Sequence, residues 1–240
     1  MRRATIMEYD KLGDKLSKYV GQMKFRFMDL CVKAEPGALL NVKALIENEA
    51  LPLEDCAKIA KPDDYHFMLI PNYEEDLVAI EKAVLFVHPE FKIAVDSLQV
   101  DTVDENGNQQ AHDVKYLNVT MPEVNDDRYD VLKESVKIVY EECKVYMEAS
   151  INKSNANFAK LTLLETEEDT EKLYKELDKL RGQWNTQRDN LYNAKLQEIE
   201  DAHNKWLAEQ DELERKRQED EAAHGDKPAT TMRMDRTDIN

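Results

Sequence analysis

The hydrophobic period of this chain changes twice, and each change falls on a proline. From residue 6 to residue 34, Ile6, Tyr9, Leu12, Leu16, Tyr19, Met23, Phe27 and Leu30 recur at steps of three and four. That spacing draws one apolar stripe along an amphipathic helix. Glu35-Pro36-Gly37 ends it, because proline has no N–H to donate and glycine frees the turn. Helical spacing returns after Pro122, with Leu132, Val136, Val139, Tyr140, Cys143, Met147 and Ile151 as its stripe. Asn125 is a good N-cap for this second helix, and Asp126 and Asp127 in its first turn suit the helix dipole. Thr166-Glu167-Glu168-Asp169 resembles a capping box and opens a third helix. Leu173, Leu177, Leu180, Trp184 and Leu191 give that helix a coiled-coil-like seam, which Leu196 and Ile199 extend.

Between the prolines the pattern is that of short strands. Residues 42–46, 56–60 and 65–70 read as strands, with Pro62-Asp63-Asp64 as a turn. Residues 74–87 read as a short helix. Residues 91–103 and 114–121 read as strands joined through Asn106-Gly107, a strong hairpin signal. The order is therefore helix, α/β unit, helix, helix. No helix can bury its stripe alone, so the first must rejoin the last two. The expected fold class is α+β: a three-helix bundle with a small α/β domain inserted between helices one and two. Residues 1–35 and 123–205 are assigned to the bundle, 36–122 to the inserted domain, and 206–240 to a charged C-terminal extension. Within the extension, 209–222 reads as an exposed helix and the residues after Gly225 as disordered.

Charge narrows the partners. The net charge is −17, yet residues 1–34 carry 8 Lys/Arg against 4 Asp/Glu, while residues 35–123 carry 6 against 18. Phosphate attracts basic surface, so only the first segment suits RNA. Cys31, Cys56 and Cys143 are far apart and match no metal spacing, which predicts reduced thiols packed in a core. No apolar run approaches the ~18–20 residues of a membrane-spanning helix, so no membrane insertion is expected. No secretory leader is visible. Arg2 and Arg3, followed at once by Glu8 and Asp10, read at best as the remnant of an organellar transit peptide.

No catalytic pattern is present. There is no P-loop, no G-x-G-x-x-G and no G-x-S-x-G elbow. The five histidines are scattered, and none stands at i,i+4 with another His or with Cys, so no metal is expected. Residues 101–113 are rich in Asp, Glu, Asn and Gly, but flanking strands favour a hairpin tip over a calcium loop. A non-enzyme without cofactor or small-molecule substrate follows.

Local motifs carry a resemblance. Pro122-Glu123-Val124-Asn125-Asp126-Asp127-Arg128-Tyr129 is similar, in register, to the Pro-x-Leu-Thr-Glu-Glu-Arg-Arg motif that starts the second bundle helix of the ribosome recycling factor family. Ala79-Ile80-Glu81-Lys82-Ala83-Val84 looks like that family's Val-Glu-Lys-Ala-Ile signature, and Pro52-Leu53 sits where the family has a similar dipeptide. The resemblance covers roughly residues 6–202. It implies a factor that binds the ribosome after termination and splits the subunits together with the translocase elongation factor. It also implies an inserted domain that pivots on two linkers and offers an elongation factor contact. Pro36, Gly37 and Pro122 are the hinge candidates.

Two arginine groups that the family uses on ribosomal RNA are largely replaced. An Arg-Thr-Gly-Arg type motif corresponds to Cys31-Val32-Lys33-Ala34, and an Arg-Val-x-x-Arg-Asn-Ile-Arg-Arg type motif to Lys144-Val145-Tyr146-Met147-Glu148-Ala149-Ser150-Ile151-Asn152. Lysine does not reproduce a bidentate arginine contact. Lys24, Arg26, Lys33, Arg128 and Lys144 remain as RNA-binding candidates, with a merely solvated face as the alternative for the first three. Trp206 and Leu207 are candidates for anchoring a protein partner. Two readings stay open. One is a recycling factor acting in translation on the post-termination ribosome. The other is a non-catalytic structural subunit or assembly factor of a large organellar complex that reuses the fold. The expected location is the mitochondrion, with the cytoplasm as the alternative.

Overall fold

The computed structural model describes residues 1–103 and 109–224. The turn expected at Asn106-Gly107 and the segment after Gly225 lie outside the described residues. Three long helices form the bundle: α1 over Arg3–Asp29, α4 over Asp126–Leu161 and α5 over Glu167–His224. Leu12, Leu16, Met23 and Phe27 of α1 meet Val136, Met147 and Phe158 of α4 and Leu173, Leu177 and Ile199 of α5 in one buried cluster. The expected seam of α5 is graded rather than uniform. Leu173 and Leu177 are buried, whereas Leu180, Trp184 and Leu191 are half-buried at its margin. Both expected caps form: the Asn125 side chain accepts from the Arg128 N–H at 2.9 Å, and the Thr166 hydroxyl from the Asp169 N–H at 3.1 Å.

The first helix stops at Asp29 instead of running to Ala34. The reason is that the next residues serve two cores. Val32 is buried in the bundle, while Cys31 and Ala34 are buried in the inserted unit. A continuing helix could not divide them so. The third helix departs from expectation in the other direction. It runs unbroken through the extension to His224, and no Gly or Pro occurs between residues 183 and 224 to stop it.

The inserted unit has two antiparallel sheets. A hairpin pairs β1 (Lys43–Ile46) with β2 (Glu49–Pro52), and one helical turn, α2 (Leu53–Cys56), leads on. Strand β2 was not expected. Its turn places Glu47 at φ 50° and Asn48 at φ 68°, the two left-handed positions of a tight hairpin, and glutamate is a poor signal for such a site. Cys56 accordingly belongs to the helical turn rather than to a strand. The second sheet has the order β3-β4-β6-β5. Its strands are β3 (Ala57–Ala60), β4 (His66–Pro71), β5 (Lys92–Val103) and β6 (Gln109–Thr120). Phe67, Leu69, Leu117 and Val119 pack from this sheet onto Ile80 and Val84 of α3, which spans Leu77–Val87. Strand β4 pairs with β6 only from Thr120 to Leu117, whereas β5 pairs with β6 as far as Val103↔Gln109. The rest of that hairpin stands out as a two-stranded ribbon.

His88 closes α3 onto the first linker. It is buried, stacks on Phe91 at 4.4 Å, and its Nε2 lies 2.8 Å from the Ala38 carbonyl oxygen. Burial opposes its charge, but the Glu90 carboxylate at 3.2 Å and the Ala38 carbonyl together hold its pKa above the usual value. A group whose pKa rises on folding adds stability that is fully present below the unfolded value of about 6.5. That stability is lost as pH rises through the folded value. The melting temperature is therefore expected to fall across neutral pH more in the wild type than in His88→Gln. Parallel curves for the two proteins would remove the histidine as the cause.

Candidate functional site

The linkers, the N-terminal turn of α4 and one turn of the inserted unit converge on a single junction. Arg128 is at its centre. It stands in the first turn of α4, three residues after the N-cap, which aims its side chain back over the linkers. Its guanidinium donates to the Cys31 carbonyl at 2.8 Å and to the Pro122 carbonyl. One residue of each linker is thus held by one planar fork. The same linkers donate to adjacent residues of the β3–β4 turn. The Ala34 N–H reaches the Asp64 carbonyl at 2.6 Å, and the Met121 N–H reaches the Tyr65 carbonyl at 2.8 Å. Burial draws the Arg128 pKa below its usual value, with Cys31 and Glu90 opposing. Burial also pushes the Cys31 thiol up to about 11, against the pull of Arg128. The protonated, buried thiol is no nucleophile at neutral pH.

The far part of α5 braces this junction. His203 Nε2 lies 2.8 Å from the Asp126 carboxylate, and its ring stacks on Tyr129 at 4.2 Å. Trp206 stacks on His203 in turn, at 6.0 Å. Lys205 places its ammonium 5.2 Å from the centre of the Tyr65 ring, in the range of a cation–π contact. Of the two partner-anchor candidates, half-buried Trp206 is engaged within the chain, and Leu207 is the exposed one.

The basic candidates occupy different surroundings. Arg26 pairs with Glu142 across α1 and α4. Lys33 pairs with Glu35 at 3.2 Å, and this hydrogen bond raises its pKa. Lys144 pairs with Glu141 at 3.7 Å. Lys24 is exposed and has no carboxylate partner among the described residues. Exposed pairs of this kind are weak enough to be exchanged for a phosphate. Arg128 is not available in that way, since both linker carbonyls already occupy its fork. In the α4 stretch that corresponds to the family's arginine motif, Val145, Tyr146, Glu148 and Ala149 face solvent. The hinge candidates Pro36 and Pro122 lie in the two linkers, with Pro36 and Gly37 opening a short 3-10 turn, Pro36–Leu39.

Sequence reasoning placed Arg128 in the RNA set and missed the clamp. The available signal was its position: an arginine three residues past an N-cap and six past the linker proline lies within reach of that proline's carbonyl. Nothing in the sequence marked the Asp64 and Tyr65 carbonyls as acceptors, because their role depends only on backbone position.

Comparison with known proteins gives a consistent result. The family model described as "Ribosome recycling factor" matches residues 24–199. A ribosome-recycling factor of Alkaliphilus metalliredigens (strain QYMF) is 23% identical over 195 residues, which cover 80% of this chain and 96% of that protein. A solution structure of the ribosome recycling factor superposes with a TM-score of 0.63 at 18% identity, covering 84% of this chain and 100% of the other. A structure described as models for the T. thermophilus ribosome recycling factor and the E. coli elongation factor G bound to the E. coli post-termination complex superposes with a TM-score of 0.50 at 20% identity. It covers 81% of this chain and 98% of the matched one. The two structures bear on the fold, and the family match spans the last turns of α1, both linkers, the whole inserted unit, α4 and α5 as far as residue 199. The chain belongs to the ribosome recycling factor family.

Proposed function

We propose that the chain acts in translation as a recycling factor, binding the post-termination ribosome and promoting release of its subunits. The observation that carries this reading is the junction: two separately packed bodies joined by two linkers that meet at Arg128. A factor of this kind works by binding and by the placement of one body against the other, and it needs no covalent chemistry of its own. The inserted domain is the part that would face the elongation factor, the protein that accompanies the recycling factor in the post-termination complex named above. A mitochondrial site of action belongs to the same proposal, and the location of a fluorescent fusion in the source cell tests it.

Subunit splitting is the direct test. Post-termination ribosomes, the translocase elongation factor and this chain are mixed, and light scattering follows dissociation. Splitting that requires both factors supports the proposal, and its absence with matched components from the same organism and compartment refutes it.

A second reading is a fixed, non-catalytic subunit or assembly factor of a large complex. The neutralised basic residues favour it: Arg26, Lys33 and Lys144 each have a carboxylate within the chain, and the α4 face presents Val145 and Tyr146. Salt dependence separates a weak phosphate binder from a strong one. With Arg26, Lys33 and Lys144 already paired to carboxylates, the log–log slope of ribosome affinity against salt is expected to be shallower than about −2, on the order of 0.7–0.9 per phosphate contact. A slope of about −4 or steeper would show that the surface pairs open and recruit phosphates.

A further inference from the structure

We propose that the inserted domain carries a docking cleft for a lysine- or arginine-rich peptide segment with one large apolar residue. The cleft has a volume of about 770 Å³ and lies between the β1–β2 hairpin and the segment joining β4 to α3. At its mouth stand Leu45 and Tyr73, 64% and 68% exposed. Its rim carries four carboxylates, Glu47, Asp55, Glu75 and Asp76. No lysine or arginine lines it, and none pairs with these four side chains among the described residues.

The acids on one side have a local explanation. Glu75 and Asp76 precede α3, where the helix dipole favours negative charge. Glu47 stands across the cleft in the left-handed turn of the hairpin, where no such dipole acts. Like charges on opposing walls repel, and the exposed leucine and tyrosine between them gain nothing from solvent. A cationic chain with an apolar anchor satisfies both features at once.

Other occupants fit worse. RNA would bring phosphate to a wall of carboxylates in a domain with 6 Lys/Arg against 18 Asp/Glu over residues 35–123. A metal ion needs converging ligands, and no cluster among the described residues could hold one. Carboxylates spread around an open cleft suit several cations spaced along a peptide.

The test uses the full chain and a fluorescein-labelled twelve-residue peptide with six lysines or arginines around one leucine, followed by anisotropy. Glu47→Lys with Glu75→Lys is expected to weaken binding about tenfold or more, and Tyr73→Ser about threefold. Both glutamates and the tyrosine are exposed, so folding is retained. The control is Glu219→Lys with Glu221→Lys on α5, which changes net charge equally and is expected to leave affinity within about twofold. An equal loss in the control would mean that the peptide senses only net charge, and the proposal would fall. It would fall equally if the cleft variants bound as the wild type does. Ribosomes take no part in this assay, so its outcome is independent of the subunit-splitting test.

Discussion

Phe158→Ala is expected to destabilise the bundle by about 3–5 kcal/mol, the usual range for emptying a fully buried aromatic site. Phe158 is 0% exposed and packs in the cluster formed by all three long helices. It lies in the last turn but one of α4, and three helices held rigid by their own hydrogen bonds cannot all close on the space it leaves. Trp184 and Trp206 both lie on α5, so tryptophan fluorescence during urea unfolding reports this loss directly. Phe67→Ala makes the matched comparison. Phe67 is equally buried, but in the other cluster. It is expected to shift the unfolding transition read by amide hydrogen exchange in β4 and β6, which belong to the inserted unit, while moving the tryptophan transition much less. A loss below about 1 kcal/mol for Phe158→Ala would show that the helices relax into the vacated volume. A common shift of both transitions by Phe67→Ala would show that the two cores unfold as one.

Arg128→Met is expected to cost about 1–3 kcal/mol, the range for partly buried acceptors left without a donor. The apolar replacement keeps much of the side-chain volume and removes only the fork. The Cys31 and Pro122 carbonyls then lose their shared partner. Arg128→Lys is expected to recover less than half of the loss, because an ammonium cannot span both oxygens as a planar guanidinium does. The second readout is geometric. Cys31, Cys56 and Cys143 are buried, and burial raises the pKa of each, so cysteines introduced at exposed Lys82 and Lys175 would take spin labels selectively. The distance distribution between those labels is expected to broaden in Arg128→Met. An unchanged width together with reduced stability would assign Arg128 to stability alone.

The large architecture was legible because it rests on periodicity. Leu12, Leu16, Met23 and Phe27 mark their buried face by spacing alone, and Pro36 and Pro122 mark where the period breaks. What escaped detection depends on geometry with no compositional signal. The β1–β2 hairpin turns through a glutamate at positive φ, a residue seldom chosen for that site. Helix α1 stops before its apolar pattern does, since Val32 and Ala34 are wanted in different cores. At the junction, the sequence offered the prolines and the charged side chains, and Arg128 was read as one more phosphate ligand. Its true partners are main-chain oxygens, which every residue carries and no residue advertises. The acidic cleft was invisible for a related reason: Glu47 and Glu75 are 28 positions apart and face one another only once the hairpin has formed.

The uncovered end of α5 has a metric consequence. From residue 207 to residue 222 its side chains are exposed, apart from half-buried Gln210. Ion pairs one turn apart, Lys216 with Glu212 at 2.7 Å and Arg215 with Glu219 at 3.6 Å, line a helix that leans on no neighbour among the described residues. Sixteen residues at 1.5 Å each make a rod of roughly 24 Å. Such a rod fixes distance and azimuth together. Removing seven residues would draw its tip in by roughly 10 Å while turning it only about 20°, whereas removing two would shorten it by roughly 3 Å and swing the tip almost to the opposite side. Length and phase along this helix are therefore separately adjustable, and a contact made by its tip would be sensitive to the two in different proportion.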